Sequence, residues 1–383
     1  MTQTQTDTRR EGNGAAPQGL GAPLQFLKDQ AENWHRYDQP VTFDVAAERI
    51  AKAAAVDGVR SDQGIGDLST WAFGPMPDGK AAIAPIPVPG RSGEPVVLRE
   101  HAFGQLCEKI KAPPDYIKML PAKLQMALVN YGLSTVKDRA AMLRLADGNV
   151  RAIVSDRYAA LDDQFVLEAL DSVLRKAGLR DSVRVTAVAT GPTTVLRFVQ
   201  PEPFEITTGD EVRLGWDVVN GEIGNRSVLL SSIVDRLVCK NGLRAKSADM
   251  ETRLRHIGDP KRLEEAFTDA LPVVIAGGQQ LREKMVTAVG RVVDNVLAEF
   301  EGLRAFGLTA TGARGVAHNV AAEHLIALPT NTDEWGSILG NVHDLTAYDV
   351  MNGITRYAQS ASSVDARITL EEAAGRYLDQ RTR

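Results

Sequence analysis

The residues in this chain of 383 that could do chemistry are few and scattered. Asp156, Asp162 and Asp163 form a local carboxylate group with Arg151 and Arg157 beside it. Carboxylates so gathered can hold divalent cations for phosphodiester chemistry, and the same residues can equally be ion-paired strand ends. The histidines are His35, His101, His256, His318, His324 and His343, with no HExxH pair and no close Cys/His quartet. No metal site is expected from them. Cys107 and Cys239 both adjoin apolar residues and read as packed thiols rather than nucleophiles. Neither a GxSxG elbow nor a GxxxxGK[ST] loop is present, so no catalytic residue and no cofactor is assigned.

The stronger signal is charge. Between Gly221 and His256, seven cations (Arg226, Arg236, Lys240, Arg244, Lys246, Arg253 and Arg255) outnumber four carboxylates, in a chain of formal charge -5. An acidic whole excludes a protein coated in cations, and leaves room for one local basic surface. Such a surface suits phosphate backbones of DNA or RNA and gives salt-dependent, weakly sequence-selective binding. A solvated polar face is the plainer alternative. A preference for single strands would need Tyr158 or Trp216 exposed for stacking.

These cations hang on the elements around them. Leu229, Leu230, Ile233, Val234, Leu237 and Val238 recur at three- and four-residue spacing, which predicts a helix from Ser227 to Lys240, capped by Asn241-Gly242. Val212, Leu214, Trp216 and Val218 alternate as on a strand, with Trp216 in the core. Asp147-Gly148 predicts a hairpin turn, and the stretches 181–189 and 193–199 a second strand pair. Helices are expected near 42–55, 102–110, 116–120, 123–133 and 165–176, and the prolines of AAIAPIPVPG argue against a central strand in that stretch. Leu281, Met285, Val289, Val292, Val296, Phe300 and Leu303 predict one long helix over 279–302, serving as core or as a homo-oligomer face. Thr346 with Asp349, and Thr369 with Glu372, are expected to cap the last two helices.

The expected fold is therefore α+β, a central mainly antiparallel sheet with flanking helices and a helical C-terminal third. Its expected divisions are a disordered tail (1–24), an α+β core (25–260) and a helical region packed on that core (261–383). Hydrophobic content of 44% and charged content of 24% suit a soluble globular protein. Two cysteines are too few for a disulfide scaffold, which points to a reducing, cytoplasmic setting. The first residues lack a basic start and apolar core, and no apolar run is long enough to cross a bilayer, so neither a signal peptide nor a membrane partner is expected.

Three phrases carry a resemblance: HAFGQLCEKIKAPPDYIKMLP (101–121), VRAIVSDRYAALDD (150–163) and GEIGNRSVLLSSIVDRLVCKNGL (221–243). In this order and spacing they resemble the uncharacterised phage/plasmid-like proteins of phages, plasmids and integrated elements, over the stretch from Ala102 to Tyr357. The chain departs from that pattern at Asn220-Gly221-Glu222 and at Lys240. The resemblance implies a mobile-element context and supplies no reaction. Together with the basic stretch it makes a nucleic-acid-binding protein the leading expectation, supporting DNA recombination, annealing or replication. A non-enzymatic assembly protein is the second expectation, and a metal-dependent phosphodiester-processing enzyme the third.

Overall fold

The structure, a computed structural model, describes residues 20–86, 93–137, 140–236, 242–244, 250–324 and 344–383. The chain is a mixed α+β fold with a mainly antiparallel central sheet and a helical C-terminal third. It separates into two compact units: Val59–Asp156 with the segment up to Asp29, and Gln30–Gly58 with Arg157–Arg383.

The second unit opens with β1 (Asn33–Val41) and α1 (Phe43–Asp57). The chain then builds the first unit: β2 (Arg60–Asp67), β3 (Trp71–Pro75), β4 (Ala81–Pro85), β5 (Val96–Val97), α2 (Glu100–Lys109), α3 (Pro114–Met119), α4 (Ala122–Thr135), β6 (Ala140–Ala146) and β7 (Asn149–Ser155). Its strands form two three-stranded antiparallel sheets, β2-β6-β7 and β3-β4-β5. The hairpin between β6 and β7 turns at Asp147 (φ 46°) and Gly148 (φ 73°), the left-handed pair a tight hairpin requires. Contrary to expectation, β4 is the central strand of its sheet, and its proline falls at the strand end, where no ladder bond is lost. Phe26, Phe73 and Phe103 stack in the core beside Leu106 and Cys107. Burial pushes the Cys107 thiol up to about 12, so it packs as a small hydrophobe.

On returning to the second unit the chain forms α5 (Asp163–Lys176), β8 (Arg184–Thr190), β9 (Thr194–Thr207), β10 (Asp210–Asn220), β11 (Val228–Arg236), β12 (Gly242–Arg244) and β13 (Glu251–Leu254). The sheet runs β1-β8-β9-β10-β11-β12, and β13 pairs with the first half of β11. Trp216 lies in the core against Phe198, their rings 5.4 Å apart.

The expected helix at Ser227–Lys240 is a strand, with Leu237 and Val238 outside the described residues. All eight residues from Val228 to Asp235 are buried, because helices cover both faces of this strand. A strand buried on both faces reads as an unbroken apolar run, which meets three- and four-residue spacing by default. One face, with Leu230 and Ser232, meets α6 (Arg262–Val289); the other, with Leu229, meets α10 (Val364–Arg381).

The C-terminal third continues with α7 (Val296–Gly302), α8 (Ala310–Glu323) and α9 (Ala347–Ala358). The apolar stripe at 281–303 is carried by two helices rather than one. Helix α6 ends at Gly290, and the link that follows is extended, with Val293 N–H donating to Leu345 O (2.7 Å) and Ala347 N–H to Arg291 O (2.8 Å). Leu281, Met285, Val296, Phe300 and Leu303 all enter the chain's own core, while Val292 in the link is exposed. The periodicity persists because both helices present their apolar faces to one core. Thr346 and Asp349 form the expected capping box. Thr369 does not cap: α10 begins earlier, at Ser363, whose Oγ accepts from Ala366 N–H.

Helix α6 crosses the sheet closely at Gly277. A Cβ there would lie 2.4 Å from Ser232 Oγ and 3.0 Å from Met250 Cγ. Gly277→Ala is expected to cost about 1–3 kcal/mol through overpacking, read as a lower urea midpoint at unchanged slope. An unaltered midpoint contradicts the close crossing.

Candidate functional site

The seven expected phosphate-binding cations part company in the structure. Lys240 and Lys246 lie outside the described residues. Arg226 is ion-paired with Asp365 on α10. Arg236 donates through Nε to Asp210 (2.6 Å), approaches Glu323 (3.5 Å) and lies over the Tyr348 ring. Arg244 is 0% exposed and turned to Asp217 and Ser231 Oγ. Arg253 is exposed with Glu251 3.7 Å away, and Arg255 is exposed with no ion pair among the described residues.

Arg244 belongs to a buried charge network on the sheet face under α10. Arg197 (β9) donates through Nε and Nη2 to Asp217 (β10), at 3.0 and 2.8 Å, and through Nη1 to Glu371 (α10) at 3.2 Å. Arg367 Nε donates to the same carboxylate (3.1 Å), and its guanidinium lies 3.9 Å from the centre of the Trp34 ring. Arg36 on β1 reaches Asp235 on β11 with two bonds of 2.8 Å, although three strands intervene in the sheet order. This face must therefore be strongly concave. Burial alone would raise the Glu371 carboxyl, yet Arg197, Arg367 and Arg244 hold it down at about 2. Arg197, likewise opposed by burial, is held charged by Asp217 and Glu371.

Of the Asp156/Asp162/Asp163 group, Asp163 is the buried member. Among the described residues no group of three His, Cys, Asp or Glu side chains could hold a metal ion. His324 Nε2 lies 3.7 Å from Asp349, and His343 falls outside the described residues. Asp163, at the start of α5, is buried; Thr194 Oγ1 donates to one carboxyl oxygen (2.6 Å) and Asn220 Nδ2 to the other (2.8 Å). Its N–H donates to Glu222 Oε1 (2.8 Å), and Tyr158 OH donates to Gly221 O and Glu222 O. Tyr158 stacks on the buried His256, ring centres 4.9 Å apart. Residues of the 150–163 and 221–243 stretches thus meet as a latch between the 158–163 segment and the β9, β10 and 221–222 backbone. Burial first, then the neighbouring Glu222 charge, pushes the Asp163 carboxyl far up. The gap beside it, between Ile50, Val166 and Val218, has no room for a water molecule. No substrate reaches Asp163 there.

An open cleft of about 540 Å³ lies in this unit. Arg253, Arg255 and Arg262 stand around it with Asp259, Glu265 and Asp269, over a floor that includes Ala159, Leu161 and Ile257. Of the expected cations, Arg253 and Arg255 are those the structure brings together at a surface. Compared with family models, curated proteins and solved structures, the chain matches none.

The buried network was missed by spacing arguments. Its signal is a charge set within an apolar strand: Arg197 in VLRFV, Asp217 in GWDVV, Asp235 in IVDR and Arg244 in GLR. Such a charge stays ionised in a core only when paired.

Two outcomes follow. Asp217→Ala removes the nearer of the two carboxylates that Arg244 shares with Arg197, leaving Glu371 alone between them, and is expected to destabilise by about 3–5 kcal/mol in chemical denaturation; a loss below about 1 kcal/mol refutes the network's role. For Asp163 the folded state keeps a proton that the unfolded chain releases above about 3.8, so this group's stabilisation is present in acid and is lost as pH rises toward about 8. Asp163→Asn should flatten that decline. A wild-type and variant pair with parallel stability–pH curves contradicts the assignment.

Proposed function

We propose that this chain is a nucleic-acid-binding protein of mobile-element type, which supports DNA recombination, annealing or replication through phosphate contacts. The observation that carries the reading is the cleft of the second unit, where Arg253, Arg255 and Arg262 border open space while Arg226, Arg236 and Arg244 are held in ion pairs. Guanidiniums at a surface are the groups that exchange counterions for phosphates. The likeness of 101–121, 150–163 and 221–243 to phage/plasmid-like proteins supports the same reading. Asp259, Glu265 and Asp269 in the same cleft offset the charge of the three arginines and keep the contact weak, and contacts to phosphates carry no sequence information.

The assembly reading has less to stand on, since five of its seven stripe residues, Leu281, Met285, Val296, Phe300 and Leu303, enter the chain's own core. No helix among the described residues is long and apolar enough to cross a membrane.

Three arginines engaging duplex phosphates give a log–log salt slope of about -2.7. Fluorescence anisotropy with labelled DNA and RNA over a salt series measures it. Arg253→Glu with Arg255→Glu should weaken binding by roughly tenfold or more and reduce the slope by about 2. Absence of binding at low salt refutes the function; binding indifferent to the double replacement refutes the cleft.

A further inference from the structure

We propose that the α3–α4 face of the first unit is a stacking platform for single-stranded nucleic acid. This rests on the nucleic-acid reading above and assigns it a strand preference and a second surface. Helix α4 carries two apolar stripes. One, with Val129, Gly132 and Leu133, is buried. The other, Leu124, Leu128 and Tyr131, has i, i+4, i+7 spacing and is exposed, Tyr131 to 71%. Helix α3, joined to α4 by Leu120 and Pro121, adds Tyr116 (55%) and Met119 (72%). Among the described residues, Tyr116 and Tyr131 are the aromatic side chains that stand exposed, and both fall in this stretch of sixteen positions (116 to 131).

The exposure is imposed by the fold. Gln125 is fully buried; it accepts from Leu24 N–H and donates to Ile117 O and Lys118 O. Asn130 accepts from Phe73 N–H (2.7 Å) and donates to Phe73 O (2.9 Å). These two amides fix the rotation of α4, so the second stripe is held outward as a rigid face.

Charge selects the occupant. Residues 108–138 hold Lys109, Lys111, Lys118, Lys123 and Lys137 against Glu108, Asp115 and Asp138, and between Lys109 and Lys137 the one carboxylate is Asp115. Lys118 lies 3.8 Å from Glu100 and over the Phe26 ring; the other four make no ion pair among the described residues. A second copy docking the same face would set these lysines against one another. Tyrosine rings on helices that also carry Lys118 and Lys123 instead match a strand whose bases stack while its phosphates meet ammonium groups.

The test uses the full chain with labelled oligo-dT and a hairpin duplex of equal nucleotide count, followed by anisotropy. Tyr116→Ala with Tyr131→Ala should weaken oligo-dT binding by roughly a hundredfold, about tenfold per tyrosine, and leave duplex binding within about twofold, since the arginine cleft is untouched. Tyr131→Trp, which keeps a stacking ring, should retain binding. Both tyrosines are exposed, and circular dichroism of the variants verifies the fold. Oligo-dT binding that ignores both tyrosines overturns this inference alone and leaves the function standing if Arg253 and Arg255 still matter. Absence of binding to either nucleic acid overturns both. If the double replacement abolishes binding to phosphatidylserine vesicles, or dissociates a dimer, without changing oligo-dT affinity, the face serves a lipid surface or a second copy and the inference fails.

Discussion

The second unit depends on a salt bridge that no solvent touches. Asp217 sits between Arg197 and Arg244 on three strands of one sheet, and Glu371 closes the cluster from α10; all four side chains are 0% exposed. Removing such charges from water costs several kcal/mol each, recovered only when every partner is in place. The network therefore contributes specificity: it requires β9, β10, β12 and α10 to assemble together and in register. Apolar packing around it, with Val195, Val219, Leu229, Val364 and Ile368, would tolerate sliding far better than the ion pairs do.

That constraint explains which features of the fold were legible beforehand. The Asp147-Gly148 turn and the Thr346–Asp349 box were readable because each is local chemistry, decided by two or four neighbouring residues. The α+β class and Trp216's place in the core followed from patterns along single elements. Strand β11 was misread because burial on both faces erases the alternation that marks a strand. The break at Gly290 was hidden because α6 and α7 share one core and so continue one stripe.

The candidate site was legible in composition and illegible in assignment. The cationic excess of residues 221–256 is real in the sequence, yet most of its arginines are structural. Nothing within the stretch distinguishes Arg244, whose partners Asp217 and Glu371 are distant in sequence, from Arg255, which has no ion pair among the described residues. Only tertiary contacts make that distinction. Conversely, Tyr116 and Tyr131 looked unremarkable because exposure is a property of the fold: α4 has apolar residues all round, and its amide clamps decide which of them face outward.

Buried arginines that organise a sheet, and the exposed cations and tyrosines proposed to meet nucleic acid, divide one pool of residue types by environment. Hydrogen–deuterium exchange of the full chain with and without saturating oligonucleotide tests this division most directly. The account predicts added protection in 114–131 and 250–262, and unchanged slow exchange in β9, β10 and β11. Protection confined to β11 and β12, or no change anywhere in the chain, would contradict it.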